Sequence, residues 1–156
     1  MTTGATSNAK ILPLEESLVM LDPATGSIKG LRGNRCSRCK RVYFPARQYC
    51  AKCCDPIRED VLIKSTGRLA GFSLVNRKPP FALITPPYIM GEVDTGQGMN
   101  IVAVIRGTPA EIRLGAPVEL GFERIAVDGE GGQRLVYVFN VTREEGKTKE
   151  RAAKGR

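Results

Sequence analysis

A chain of 156 residues with 42% hydrophobic content suits one compact domain, or one small domain carrying a stapled module. No apolar run approaches the length of a membrane span, and the opening MTTGATSNAK lacks the charged-then-apolar order of a secretory signal, so the cytoplasm is the expected location. The formal net charge is +8 and histidine is absent, which excludes any chemistry that needs an imidazole.

Residues 1–10 are small and polar, and are expected to be disordered. In "LVMLDPATGSIKGLRGNRC" two apolar stretches flank Asp22-Pro23-Ala24-Thr25-Gly26, a turn signal. A loose hairpin or short arm is expected there, with a helix over Leu14–Leu21 as the lesser option. The next segment, "CSRCKRVYFPARQYCAKCC", holds all five cysteines of the chain. In a reducing compartment such clustering points to metal ligands before disulfides.

From Val61 onward the pattern is all-β. "VLIKSTGRLAGFSLV" reads as the first strand, with Gly67 and Gly71 as candidate bulges or tight bends. "YIMGEVDT", "NIVAVIRG", "PVELGFERIAV" and "RLVYVFNVT" follow, bounded by turn residues, and "VDGEGGQ" is a hairpin turn or short loop. Between the first two strands "NRKPPFALITPPY" carries two Pro-Pro pairs, which exclude a central strand and leave an extended surface loop. Five strands, one long loop and a short helical turn near Ala110–Leu114 predict a small oligonucleotide/oligosaccharide-binding (OB) barrel. The expected organisation is mainly β: a flexible N-terminus and arm over 1–28, a zinc ribbon over 29–60, the OB barrel over 61–142 and a disordered basic tail over 143–156.

Cys36-x2-Cys39 and Cys50-x2-Cys53 are two knuckles ten residues apart. Each CxxC turn sets two thiolates on one side, and two facing knuckles close a tetrahedron around zinc. Four thiolates leave no open position for substrate or water, so the metal is expected to be structural. Iron bound by four thiolates is the rival metal reading. A redox CxxC would need a βαβ context that this chain lacks. Cys54 is a spare that could replace Cys53 as ligand; CxxC symmetry favours Cys53. Tyr43, Phe44 and Tyr49 lie between the knuckles, where aromatics among basic residues could stack on nucleobases or form the ribbon's own core and its seam with the barrel; Phe44 is assigned to the latter.

Charge is concentrated in the same module. Residues 29–58 contain nine Lys/Arg and one acid, whereas 61–142 has eight bases against seven acids. A basic module suits an anionic partner such as a nucleic acid, a phosphorylated cofactor or an acidic protein surface. The near neutrality of the barrel disfavours nucleic acid, since an OB groove for a phosphate backbone should itself be basic. A single-stranded nucleic-acid binder remains the alternative function, and a homo-oligomeric metal-storage or scaffold protein a third. The strands offer no paired-carboxylate motif: Glu92, Asp94 and Glu119 read as exposed strand or turn residues. With every cysteine in one cluster and no histidine, the chain lacks the activated nucleophile and base of acyl chemistry. It is expected not to be an enzyme by itself.

The ordered set "RCSRCKRVYFPARQYCAKCC", "GRLAGFSLV", "PPFALITPPYIMGEVDTGQGMNIVAVIRG" and "IRLGAPVELGFE" resembles the bacterial and archaeal zinc-ribbon plus OB-fold family associated with acyl-CoA enzymes. Phe44-Pro45-Ala46-Arg47 matches the family's FPPR with one proline replaced, and Pro87-Tyr88 and Gly115-Ala116-Pro117-Val118 also fit. Family knuckles carry glycine after the second cysteine, where Lys40 and Cys54 stand here, so some remodelling of both knuckles is expected. The resemblance implies an accessory subunit whose partner contributes the catalytic residues. That partner is a thiolase-like chain or, alternatively, a hydratase- or aldolase-type acyl-CoA enzyme. Among family types, it resembles the small zinc-containing subunit of benzoylsuccinyl-CoA thiolase. Coenzyme A is the expected shared cofactor, with Arg47, Arg77 and Lys78 as candidate contacts to its phosphates. Phe44, Phe81 and Tyr88 are the candidate partner-interface residues.

Overall fold

A computed structural model of the chain describes residues 12–80, 82–127 and 132–143. The expectations for residues 1–10, for the tail beyond 143 and for the centre of "VDGEGGQ" lie outside the described residues.

β1 (Leu12–Pro13) and a single 3-10 turn at Glu16–Leu18 lead into β2 (Val19–Leu21) and β3 (Ile28–Arg35), which pair antiparallel. The intervening turn forms because Asp22 satisfies it locally. Its carboxylate accepts the N–H groups of Ala24 (2.8 Å) and Thr25 (3.2 Å), and its carbonyl accepts that of Gly26 (2.7 Å). Those backbone donors, Ala24 first, and the Lys29 ammonium at 3.1 Å hold the Asp22 carboxyl below its ordinary range. The hairpin expected from "LDPATGS" is therefore present, and among the described residues no longer helix forms over Leu14–Leu21. β4 (Val42–Tyr43) and β5 (Glu59–Leu62) both pair antiparallel with β3.

"VLIKSTGRLAGFSLV" is not one strand. Its start belongs to β5 on the ribbon sheet, and β6 (Thr66–Val75) belongs to the barrel. The break follows from Ile63, which gives its N–H to the Leu31 carbonyl (3.0 Å) and sits buried between the two sheets. The chain must turn around that anchor. Gly71 does mark a bulge, because the β6–β7 register shifts between Leu69 and Gly71. Gly67 marks a close approach instead: a Cβ there would stand 2.6 Å from the Asp94 carbonyl oxygen.

The barrel consists of β6, β7 (Tyr88–Asp94), β8 (Asn100–Arg106), β9 (Pro117–Val127) and β10 (Gly132–Val141). Pairing runs β6–β7–β8–β10–β9 and returns from β9 to β6, closing the sheet. β8 and β10 are parallel and the other barrel pairs are antiparallel. This is the five-stranded closed barrel that the sequence predicts. The connection after β8 holds one helical turn at Thr108–Ile112, slightly earlier than expected. Thr108 Oγ1 and N–H both donate to the Glu111 carboxylate, a capping arrangement that starts the turn. Thr108's backbone N–H, and then its hydroxyl, hold the Glu111 carboxyl below the ordinary carboxylate range.

Leu69, Val93, Ile101, Ile105, Val118 and Phe139 fill the barrel. Leu31, Val42 and Ile63 from the N-terminal part join the same cluster. Ribbon and barrel are thus packed on one continuous core, with Phe44 edge-on to Tyr137 at 5.8 Å across the seam.

Candidate metal centre

The two knuckles are built alike. In the first, the Cys36 N–H donates to the Arg41 carbonyl (3.0 Å) and the Lys40 N–H donates to the Cys36 carbonyl (2.9 Å). In the second, Cys50 donates to Asp55 (2.9 Å) and Cys54 to Cys50 (2.9 Å). Lys40 and Cys54 hold φ of 60° and 59°, and among the described residues they alone combine a positive φ with a side chain. The left-handed conformation costs a side-chain-bearing residue roughly 1–2 kcal/mol. The expected remodelling does not occur: both knuckles keep the glycine-type turn and absorb the strain.

This geometry brings four sulfurs together. Cys36 and Cys53 Sγ are 3.5 Å apart, Cys39 and Cys50 Sγ 3.4 Å, and all four lie within 4.8 Å of one another. Zinc–sulfur bonds of about 2.3 Å require a tetrahedral S···S edge of about 3.8 Å, so the spacing fits a metal ion bound by four thiolates. Cys36 and Cys50 are buried, Cys39 and Cys53 half-buried, and Cys54 is exposed and outside the group. Its position at the turn points the chain onward from the cluster that Cys53 completes.

The donors around the cluster favour thiolates. Tyr43 Oη lies 3.2 Å from Cys50 Sγ and the Lys52 N–H donates to the same sulfur at 3.4 Å. The Tyr43 hydroxyl first, with backbone N–H groups after it, lowers the Cys50 thiol to about 5. The same contact raises the Tyr43 phenol. Cys53 is pushed up to about 12: the Asp55 backbone favours its thiolate, but burial and hydrogen bonds from Cys50, Cys36 and Cys39 outweigh it. A cation among the four sulfurs would replace the proton that such crowding retains. Sequence reasoning did not anticipate the hydroxyl's role. The sequence left Tyr43 without an assigned role, and only its contact with Cys50 reveals one. Asn34 was likewise missed. It is buried, its amide donates to the Arg47 carbonyl, and its oxygen accepts the Arg47 N–H (3.2 Å), pinning the loop between the knuckles.

The cations of the module divide into two groups. Lys29, Arg32, Arg35 and Arg38 pair with Asp22, Asp60, Glu59 and Asp55. Lys40, Arg41, Arg47, Lys52 and Arg58 have no ion pair among the described residues, and Arg47 lies over the Tyr43 ring at 5.3 Å. Arg77 and Lys78 are exposed at the start of the long loop, also without an acidic partner among the described residues. No hydrogen bond or ion pair joins them to Arg47. Tyr88 is half-buried at the start of β7, opposite Val75, Phe44 is occupied at the seam, and Phe81 lies outside the described residues. Glu92, Asp94 and Glu119 are exposed, as the sequence suggested. An open cleft of about 370 Å³ lies beside β6 and β7, lined by Phe72, Ser73, Met90, Glu92 and Val102. No helix of the described residues is long and apolar enough to cross a membrane.

Comparison with known proteins agrees with this architecture. Residues 60–123 match the family described as the C-terminal OB-fold domain of ChsH2. A solved structure of an Ltp2-ChsH2(DUF35) aldolase superposes with a TM-score of 0.56 at 24% identity, over 72% of this chain and 84% of that one, which is a likeness of fold. The benzoylsuccinyl-CoA thiolase subunit BbsA of Thauera aromatica is 29% identical over 117 residues, 75% of this chain and 80% of BbsA. A DUF35 domain-containing scaffold protein of Methanocaldococcus jannaschii is 31% identical over 104 residues, 65% of this chain and 74% of its own length. With a ribbon, a closed barrel and this extent of shared sequence, the chain belongs to the family of DUF35 domain-containing scaffold proteins.

Proposed function

We propose that this chain is a non-catalytic accessory subunit of an acyl-CoA-processing enzyme complex, of the thiolase type. The observation that carries the reading is its similarity to a thiolase subunit across most of that subunit's length, joined to a cysteine cluster that uses four thiols on one another. A site of four thiolates has no vacant coordination position, so its metal would be structural rather than a Lewis acid for substrate. Zinc bound by Cys36, Cys39, Cys50 and Cys53 would fix the ribbon; the barrel would hold it at a set orientation for the partner. Arg47, Arg77 and Lys78 are proposed to meet the phosphates of coenzyme A, since unpaired guanidinium and ammonium groups suit that charge. Phe44, Phe81 and Tyr88 are proposed as partner contacts.

Co-expression with the chain encoded next to it, followed by purification and assay of thiolysis and condensation on acyl-CoA, tests the reading. A stable complex that is active where this chain alone is inactive is the expected result. Sustained turnover by the isolated chain, shown to be free of partner, overturns it. Within an active complex, Arg47→Ala and Arg77→Ala should raise KM for coenzyme A several-fold more than KM for the acyl substrate. Unchanged coenzyme A dependence in both would remove this chain from cofactor binding.

A further inference from the structure

We propose that the second half of β6 is an open sheet edge that accepts an extended strand from the partner subunit; the inference rests on the accessory-subunit reading for the partner's identity. β6 enters against β9 at Thr66–Arg68 and is joined by β7 from Arg68 onward. The pairing with β9 ends at Arg68, and Leu69 makes the last contacts on that side, donating to the Ala116 carbonyl (2.9 Å) and accepting from the Gly115 N–H (2.8 Å). Beyond Leu69 only β7 pairs with β6.

Which groups are left over follows from alternation along β7, which is unbulged. Leu69 turns its N–H and C=O towards the β9 side, so Val93 opposite it turns its own towards β8; by alternation Gly91 and Ile89 do the same, and residues 88, 90 and 92 bond to β6. Phe72 and Leu74 stand opposite Gly91 and Ile89, so their own N–H and C=O groups turn away from β7. The bulge at Leu69/Gly71 sets this phase, since without it Gly71 would face outward instead. Neither Phe72 nor Leu74 has a backbone partner on that side among the described residues. Their side chains are 45% and 57% exposed.

Open edges are ordinarily blunted by charge or proline, because they recruit other strands. Here Ala70-Gly71-Phe72-Ser73-Leu74-Val75 contains neither. Main-chain pairing would supply affinity, and the adjoining cleft beside Phe72 and Met90 would take a side chain of the incoming strand. The charge pattern selects the occupant. Arg77 and Lys78 follow the segment and have no acidic partner among the described residues. A second copy of this edge offers no carboxylate between Ala70 and Lys78 to meet them. A foreign strand, apolar and β-branched at its centre with carboxylates at the end that meets Arg77 and Lys78, fits the edge.

The test uses the zinc-loaded full chain and the acetylated peptide Glu-Glu-Thr-Val-Thr-Val-Thr-Val-Glu-Glu. Amide hydrogen exchange by NMR should slow by at least about tenfold at Phe72 and Leu74 when the peptide binds. Leu74→Pro removes one outward N–H while sparing the β7 pairing, and should abolish that protection; Leu74→Thr, which keeps the N–H, should retain it. Phe72→Pro replaces the first variant should it fail to fold. No protection at these two amides, protection elsewhere, or protection in the peptide-free protein through self-pairing overturns the proposal. In co-expression, a wild-type complex that Leu74→Pro fails to form supports it. Equal assembly of wild type and Leu74→Pro overturns it while leaving the accessory reading intact. If the wild type forms no complex, the accessory reading fails, and the peptide experiment alone decides the open edge.

Discussion

Lys40 and Cys54 occupy equivalent places in two successive knuckles, with φ of 60° and 59°, and each donates its N–H to the carbonyl of the cysteine four residues before it. A side chain is disfavoured at both, and glycine would adopt the same conformation without a Cβ penalty. Lys40→Gly and Cys54→Gly should therefore each stabilise the protein by about 1 kcal/mol, read as a raised midpoint in denaturant with unchanged slope. A loss of stability in both would mean that these side chains contribute contacts outweighing the strain.

The same pair separates ligand from bystander among the last two cysteines. Cys54→Ser should leave metal content at one zinc per chain, whereas Cys53→Ser should reduce it sharply, by elemental analysis of purified protein. The reverse outcome would move the fourth ligand to Cys54, and iron in place of zinc would change the metal.

Tyr43→Phe removes only the hydroxyl 3.2 Å from Cys50 Sγ. Groups that hydrogen-bond a metal ligand typically contribute about 10–100-fold in affinity. Competition against a chromogenic chelator should show a loss of about tenfold or more with the fold unchanged. An unaltered affinity would reduce Tyr43 to a packing role.

Thr95 is buried, and its hydroxyl has no hydrogen-bond partner among the described residues. An unpaired buried hydroxyl costs about 1–3 kcal/mol. Thr95→Val should raise stability by about 1 kcal/mol in chemical denaturation, and destabilisation would reveal a bound water or ligand satisfying that oxygen.

Leu31, Val42 and Ile63 connect the ribbon to the barrel core. Stripping zinc with a strong chelator should consequently lower the midpoint of one cooperative thermal transition. Two resolved transitions, with the barrel's unmoved, would show that the modules unfold independently.

The cysteine spacing and the alternating apolar runs made the four-cysteine cluster, the barrel strands and the hairpin at Asp22 legible, because each rests on a local pattern. Long-range placement was less visible. Nothing around Val61 signals that Glu59–Leu62 joins β3, since the deciding contact is made by Leu31, far back in the chain. The Tyr43 hydroxyl and the Asn34 clamp were hidden for the same reason. Lys40 and Cys54 are instructive in the other direction: local preference argued against the turn, and four converging sulfurs overrode it.

The seam between Phe44 and Tyr137 has a consequence for recognition. Because the two modules share an interior, the angle between them is set at folding and leaves no hinge to be frozen on docking. A partner that touches both meets a template of fixed shape, and association forfeits little internal freedom of this chain. Mismatched partners cannot be accommodated by swivelling, so the seam acts as a gauge of which surfaces fit.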